Sequence, residues 1–163
     1  MTERVTLITG ASAGIGAELA RIFAAKGHRV VLAARRGDRL DQLADEIVAA
    51  GGAQPIVIAC DLEQADAGAM IEAALEAAGV ELEYLVNNAG FGVFGRAIKR
   101  DRNDQLAMIA VNIGALTDLT LRFADQLMVP RWGFGSAPYV GPPSRRFKGR
   151  LWPQGSSKGL ARV

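Results

Sequence analysis

The chain has 163 residues, half of them apolar, and a formal net charge of +2. That length fits one domain with a real core, and with no stretch of 18 uninterrupted apolar residues no membrane span is expected. Cys60 and His28 are single, so disulfides within the chain and a multi-His metal cluster are excluded and a His-dependent triad is disfavoured.

Met1 to Arg4 run straight into the first apolar segment, so no signal peptide is expected; with one cysteine, the expected setting is cytoplasmic and reducing. Val5 to Ile8 reads as a buried parallel strand and Ala17 to Lys26 as a helix. Between them lies Thr9-Gly10-Ala11-Ser12-Ala13-Gly14-Ile15-Gly16. Gly10 permits a tight turn, Gly14 lets the backbone approach a pyrophosphate, and Gly16 lets the helix pack closely on the sheet. The helix N-terminus then presents unpaired N–H groups to phosphate.

Arg29 to Ala34 reads as the second strand and Asp38 to Ala50 as a helix with Leu40, Leu43, Ala44 and Ile47 on one face; Gly51-Gly52 closes it. Pro55 to Cys60 is a third strand, Gln64 to Ala78 a third helix, and Leu82 to Val86 a fourth strand that delivers Asn87-Asn88-Ala89-Gly90. Strand and helix alternate with short links, the pattern of an α/β doubly wound parallel sheet. A loop spans Phe91 to Arg100, and one helix is predicted from Asp101 to Met128. It carries two apolar stripes, Leu106, Ile109, Ile113, Leu116, Thr120, Phe123 and Leu127 on one and Met108, Val111, Ala115 and Leu119 on the other. Two apolar faces predict cover on both sides, one by the sheet and the other open to a second copy of the chain as a homo-oligomer.

Composition changes near Val129. Residues 1–128 carry 12 Lys/Arg against 17 Asp/Glu, whereas residues 129–163 carry seven Lys/Arg, no acid, five of the six prolines and both tryptophans. The domain therefore divides into a nucleotide-binding part, 1–128, and an atypical basic, Pro-rich tail, 129–163, in which prolines interrupt every strand candidate and leave the sheet incomplete on its C-terminal side. The tail has no binding fold or aromatic platform for nucleic acid, so no nucleic-acid partner is expected.

Over roughly residues 4–128 the chain resembles a short-chain dehydrogenase/reductase, a Rossmann-type NAD(P)-dependent oxidoreductase family acting on CH–OH and C=O groups. Four pieces in the family's order carry the resemblance: Thr9-Gly-x-x-x-Gly-x-Gly16, Asp61-Leu62, Asn87-Asn88-Ala89-Gly90, and Val111-Asn112. The resemblance implies a cofactor site built from Thr9, Gly10, Ser12, Gly14, Ile15, Gly16, Arg35, Asp61, Leu62, Asn88, Ala89 and Gly90, a small carbonyl or alcohol substrate, and no metal. Asp61 reads equally as an adenine contact and as the N-cap of a helix beginning near Glu63. At the end of the second strand an NAD enzyme of this type would place a carboxylate for the ribose 2′-OH; Ala34, followed by Arg35 and Arg36, suits a 2′-phosphate, so NADP(H) is preferred over NAD(H), with Arg35 as the contact. The bland alternative is a solvated Arg pair.

Asn112 reads either as a polar residue facing solvent or, as the resemblance implies, as the catalytic Asn that bends its helix in a proton relay. The family's reactive Tyr-x-x-x-Lys is missing. Gln154 stands where the tyrosine of Gln154-Gly155-Ser156-Ser157-Lys158 would be, and an amide is no general acid. Lys158 is either the family lysine or a surface lysine, and Ser136 and Ser144 are serines without supporting context. Two readings stay open: a reductase by descent, truncated or frameshifted near Met128, and a non-catalytic NADP(H)-binding protein. Cys60 reads as a core thiol, His28 as a solvated turn residue, and Trp132 and Trp152 as cover for a sheet edge.

Overall fold

The computed structural model describes residues 2–127. Ser136, Ser144, Gln154, Lys158, Trp132 and Trp152, with the roles expected of them, lie outside those residues. Four strands, β1 (Glu3–Thr9), β2 (Arg29–Ala34), β3 (Ile56–Ala59) and β4 (Val80–Val86), form one parallel sheet in the order β3-β2-β1-β4. Thr9 pairs level with Ala33, Ala34 with Ala59, and Ile8 with Val86, so all four strands end along one edge. The chain leaves β1 toward β2 on one side and returns to β4 on the other. That reversal is the switch point where a doubly wound sheet opens a crevice beyond its strand ends.

The strands are apolar almost without interruption because both faces are covered. On one face Ile8, Val30, Leu32 and Ala34 meet Ala17, Ala20 and Ala24 of α1 (Gly14–Ala25) and Leu40, Leu43, Ala44 and Ile47 of α2 (Gly37–Ala49). The small alanines of α1 let it lie close to the sheet, and α2 presents the stripe expected from its spacing. On the other face Val5, Leu7, Val31, Ala33 and Ile58 pack against Ile71 and Leu75 of α3 (Ala67–Ala77) and against Val111, Leu119 and Phe123 further on. The third helix begins at Ala67 rather than Gln64, because a turn held by the Asp61 side chain occupies the preceding residues.

The expected single helix from Asp101 to Met128 is corrected. After a short 3₁₀ turn at Ala97–Lys99 come α4 (Arg102–Ile109), a π-helical segment (Ala110–Ala115), α5 (Leu116–Arg122) and, beyond a break at Phe123, the short α6 (Ala124–Leu127). Asp101 caps α4 by accepting from the Asn103 amide at 2.6 Å. The wider π turn adds residues to the helical circuit and rotates the next helix about its axis. Leu106, Ile109, Ile113 and Leu116 lie outward, 42–59% exposed, while Phe123, from the same straight-helix stripe, lies in the core at 1%. The other stripe, through Val111 and Leu119, faces the sheet.

His28 is also corrected. It is packed edge-on between Phe23 and Tyr84, with ring centroids 5.4 and 5.3 Å away, and its Nδ1 lies 3.6 Å from a Glu83 carboxylate oxygen. A solvated turn residue is expected from the local sequence alone, because Tyr84, which covers the ring, belongs to a strand far along the chain.

Candidate dinucleotide site

Beyond the strand ends lies a cleft of about 300 Å³, lined among others by Gly10, Ser12, Arg35, Arg36, Asp61 and Ala89. The turns that line it are held from within by Thr9, which is 1% exposed at the end of β1. The Thr9 hydroxyl accepts from the amides of Asn88 (3.1 Å) and Ala89 (3.0 Å) and donates to the Val86 carbonyl at 3.3 Å. Asn88 returns its side-chain amide to the Thr9 carbonyl at 3.0 Å. Two turns distant in sequence are thus fastened into one surface, and every hydrogen-bonding position of the hydroxyl is used.

The Gly10–Gly16 turn is tied to the sheet by its first amide, which donates to the Ala33 carbonyl at 2.8 Å. Gly14 has φ +57°, a conformation that favours glycine, and a Cβ added there would meet nothing within 4 Å. The turn is therefore open toward solvent where a phosphate would approach. At Gly16 the constraint is the reverse: a Cβ would run into the Gly10 carbonyl and the Asn88 side chain. Ala13 precedes α1 in an extended conformation and gives it no side-chain cap, so the first N–H groups of the helix have no side-chain acceptor at that position. Ile15 projects outward, 74% exposed.

Two guanidinium groups stand at the mouth. The Arg36 Nη2 donates to the Ser12 hydroxyl oxygen at 3.1 Å, and the Arg35 Nη1 lies 3.2 Å from a Glu63 carboxylate oxygen. Asp61 does not cap a helix beginning at Glu63. Its Oδ1 accepts from the Glu63 amide at 3.1 Å in a local turn, leaving Oδ2 free of any protein donor among the described residues. Leu62 and Cys60 are buried beside it, and burial, with a smaller contribution from the Asp61 charge, raises the Cys60 pKa above the usual thiol value. The core-thiol reading of Cys60 holds, and the thiol is kept protonated at neutral pH.

Asn112 lies in the π-helical segment and does not merely face solvent. Its Oδ1 accepts from the Phe91 amide at 3.1 Å and its Nδ2 donates to the Phe91 carbonyl at 2.9 Å. This two-point clamp holds the start of the loop after Gly90. Asn87, at the end of β4, donates to the Thr120 hydroxyl of α5 at 3.0 Å. Glu63, Thr120 and the Arg36–Ser12 contact are not singled out by the sequence pattern. The signal available for Glu63 is its place two residues after an Asp, the spacing of a side-chain turn.

A parallel sheet with a glycine turn after its first strand and a cleft at its switch point defines an α/β protein of the Rossmann type. Residues 4–135 match the family model for short chain dehydrogenase, and the chain belongs to that family. It is 36% identical over 155 residues to a galactitol 2-dehydrogenase (L-tagatose-forming) from Cereibacter sphaeroides, covering 94% of this chain and 58% of the relative. A metagenomic short-chain oxidoreductase solved in complex with NADP superposes with a TM-score of 0.72 at 41% identity, over 78% of this chain and 58% of that one. An alcohol dehydrogenase from the archaeon Thermococcus sibiricus, complexed with 5-hydroxy-NADP, gives 0.71 at 32% identity, over 77% and 54%. The chain spans about half the length of the curated relatives it matches. Among the described residues no helix is long and apolar enough to cross a membrane, and no cluster of three or more His, Cys, Asp or Glu is placed to hold a metal ion.

Proposed function

We propose that this chain carries the cofactor-binding part of a cytoplasmic short-chain reductase, and that it binds NADP(H) in preference to NAD(H). The observation that carries the reading is the end of β2. Ala34 offers no carboxylate to a ribose 2′-OH, while Arg35 and Arg36 line the cleft immediately beyond it. Guanidinium groups suit a phosphate dianion by charge and by fork geometry. The residues fit the rest of a dinucleotide as well: the open side of Gly14 and the uncapped start of α1 for the pyrophosphate, the unengaged Oδ2 of Asp61 for the adenine amino group, and the Asn88–Gly90 turn for the second ribose. The nicotinamide, when bound, supplies the hydride exchanged with a small carbonyl or alcohol substrate.

The chain's own acid for such a reaction is the weak point. No Tyr-x-x-x-Lys occurs anywhere in the sequence, and Gln154 cannot give a proton to a substrate oxygen. Binding without appreciable turnover is the reading that the sequence favours for this chain. The test is a fluorescence titration of the full chain with NADPH and NADH, followed by NADPH oxidation against a panel of small ketones and aldehydes. NADPH is expected to bind about tenfold or more tighter than NADH, with turnover at the buffer background. Equal or tighter NADH binding contradicts the cofactor assignment, and robust ketone reduction contradicts the loss of the acid.

A further inference from the structure

We infer that Glu63 is a specificity-determining residue that weakens the hold of the cleft on a 2′-phosphate by occupying Arg35. The inference rests on the NADP(H) reading above. The two guanidinium groups at the end of β2 are not equivalent. Arg36 is held by a neutral partner, the Ser12 hydroxyl, at the edge of the phosphate turn. Arg35, 64% exposed, faces the Glu63 carboxylate at 3.2 Å, and Glu63 is the less exposed of the two at 30%. Both groups line the same cleft.

The position of Glu63 is built, not incidental. Its amide is fixed by the Asp61 carboxylate at 3.1 Å, and the Gln64 amide donates to the Asp61 carbonyl at 3.0 Å. This turn comes after β3, whose end pairs level with the end of β2, so it sets the carboxylate opposite Arg35. An ion pair this exposed contributes little to the fold itself, so Glu63 is dispensable for stability. Its effect on a ligand is larger. A phosphate dianion on Arg35 must displace or tolerate a carboxylate within a few ångströms, well inside the screening length of physiological salt. A ribose 2′-OH carries no charge and meets no such opposition. Arg36 thus supplies the unopposed attraction, and Glu63 sets how much of the Arg35 charge is left for the ligand.

The experiment compares wild type, Glu63→Gln, Arg35→Gln and the double variant, using NADPH, NADH and the fragments 2′-AMP and 5′-AMP in equilibrium binding, with thermal melting as the folding control. Glu63→Gln is expected to tighten NADPH and 2′-AMP by about three- to tenfold at low salt and less at high salt, and to leave NADH and 5′-AMP within about twofold. Arg35→Gln should cost NADPH more in the Glu63→Gln background than in wild type. A wild type that prefers NADPH while Glu63→Gln leaves or weakens that preference overturns this inference alone. A wild type with no NADPH preference that gains one in Glu63→Gln overturns the cofactor assignment of wild type and upholds the role of Glu63. Failure of wild type and variant to bind any of the four probes overturns both.

Discussion

The two faces of the sheet are finished to different degrees. On the α1–α2 face, Val30 and Leu32 are fully buried and both helices turn their apolar stripes inward. On the opposite face, the segment from α4 to α5 buries Val111, Leu119 and Phe123 but leaves Leu106, Ile109, Ile113 and Leu116 in a row 42–59% exposed. The first face exposes apolar residues only singly, at Ile15, Ile22 and Val48, and positions the phosphate turn. The second supports the Asn112 clamp with its inner side and holds out a surface that apolar cover would stabilise. The cleft depends on the inner contacts of both faces and on none of the outer row.

The sharpest way to break this comparison is to truncate one residue from each side of the same helical segment. Leu119→Ala should cost about 2–5 kcal/mol in chemical denaturation, because the cavity opens in a packed core. Thr9→Val comes next and sharpens the link between the faces and the cleft. It keeps the shape of the side chain and strips the hydroxyl from two amides, so a loss of about 1–3 kcal/mol is expected. Amide exchange at Asn88 and Ala89 should speed up more than elsewhere in the sheet. Uniform acceleration along β1 to β4 would mean that Thr9 acts on global stability and not on the turn. The smallest effect belongs to the outer row, where Ile113→Ser should stay within about 0.5 kcal/mol if its face is open in solution. A large loss for Ile113→Ser, or a change in oligomeric state, would show that a second copy covers the row.

Most of the sheet face was legible because its signals are local. The strand β2 was readable to the residue, α2 to within one residue at each end, and the glycine turn announced both its open and its crowded position. The helical face was less legible. A 3.6-residue period assumes one continuous helix, and that assumption fails at the π segment Ala110–Ala115 and again at the break at Phe123. Pairings between residues far apart in the chain were invisible for another reason. Arg35–Glu63, Arg36–Ser12 and His28–Tyr84 join residues 24 to 56 positions apart, and nothing in a linear pattern brings them together.

The measurement that tests the dinucleotide site most directly is amide hydrogen exchange on the full chain with and without NADPH. Protection is predicted in four separate stretches at once, residues 10–16, 35–36, 61–63 and 88–90, while the outer row of α4 and α5 stays unchanged. No protection at saturating NADPH, or protection confined to the outer row, would contradict the assignment of the cleft.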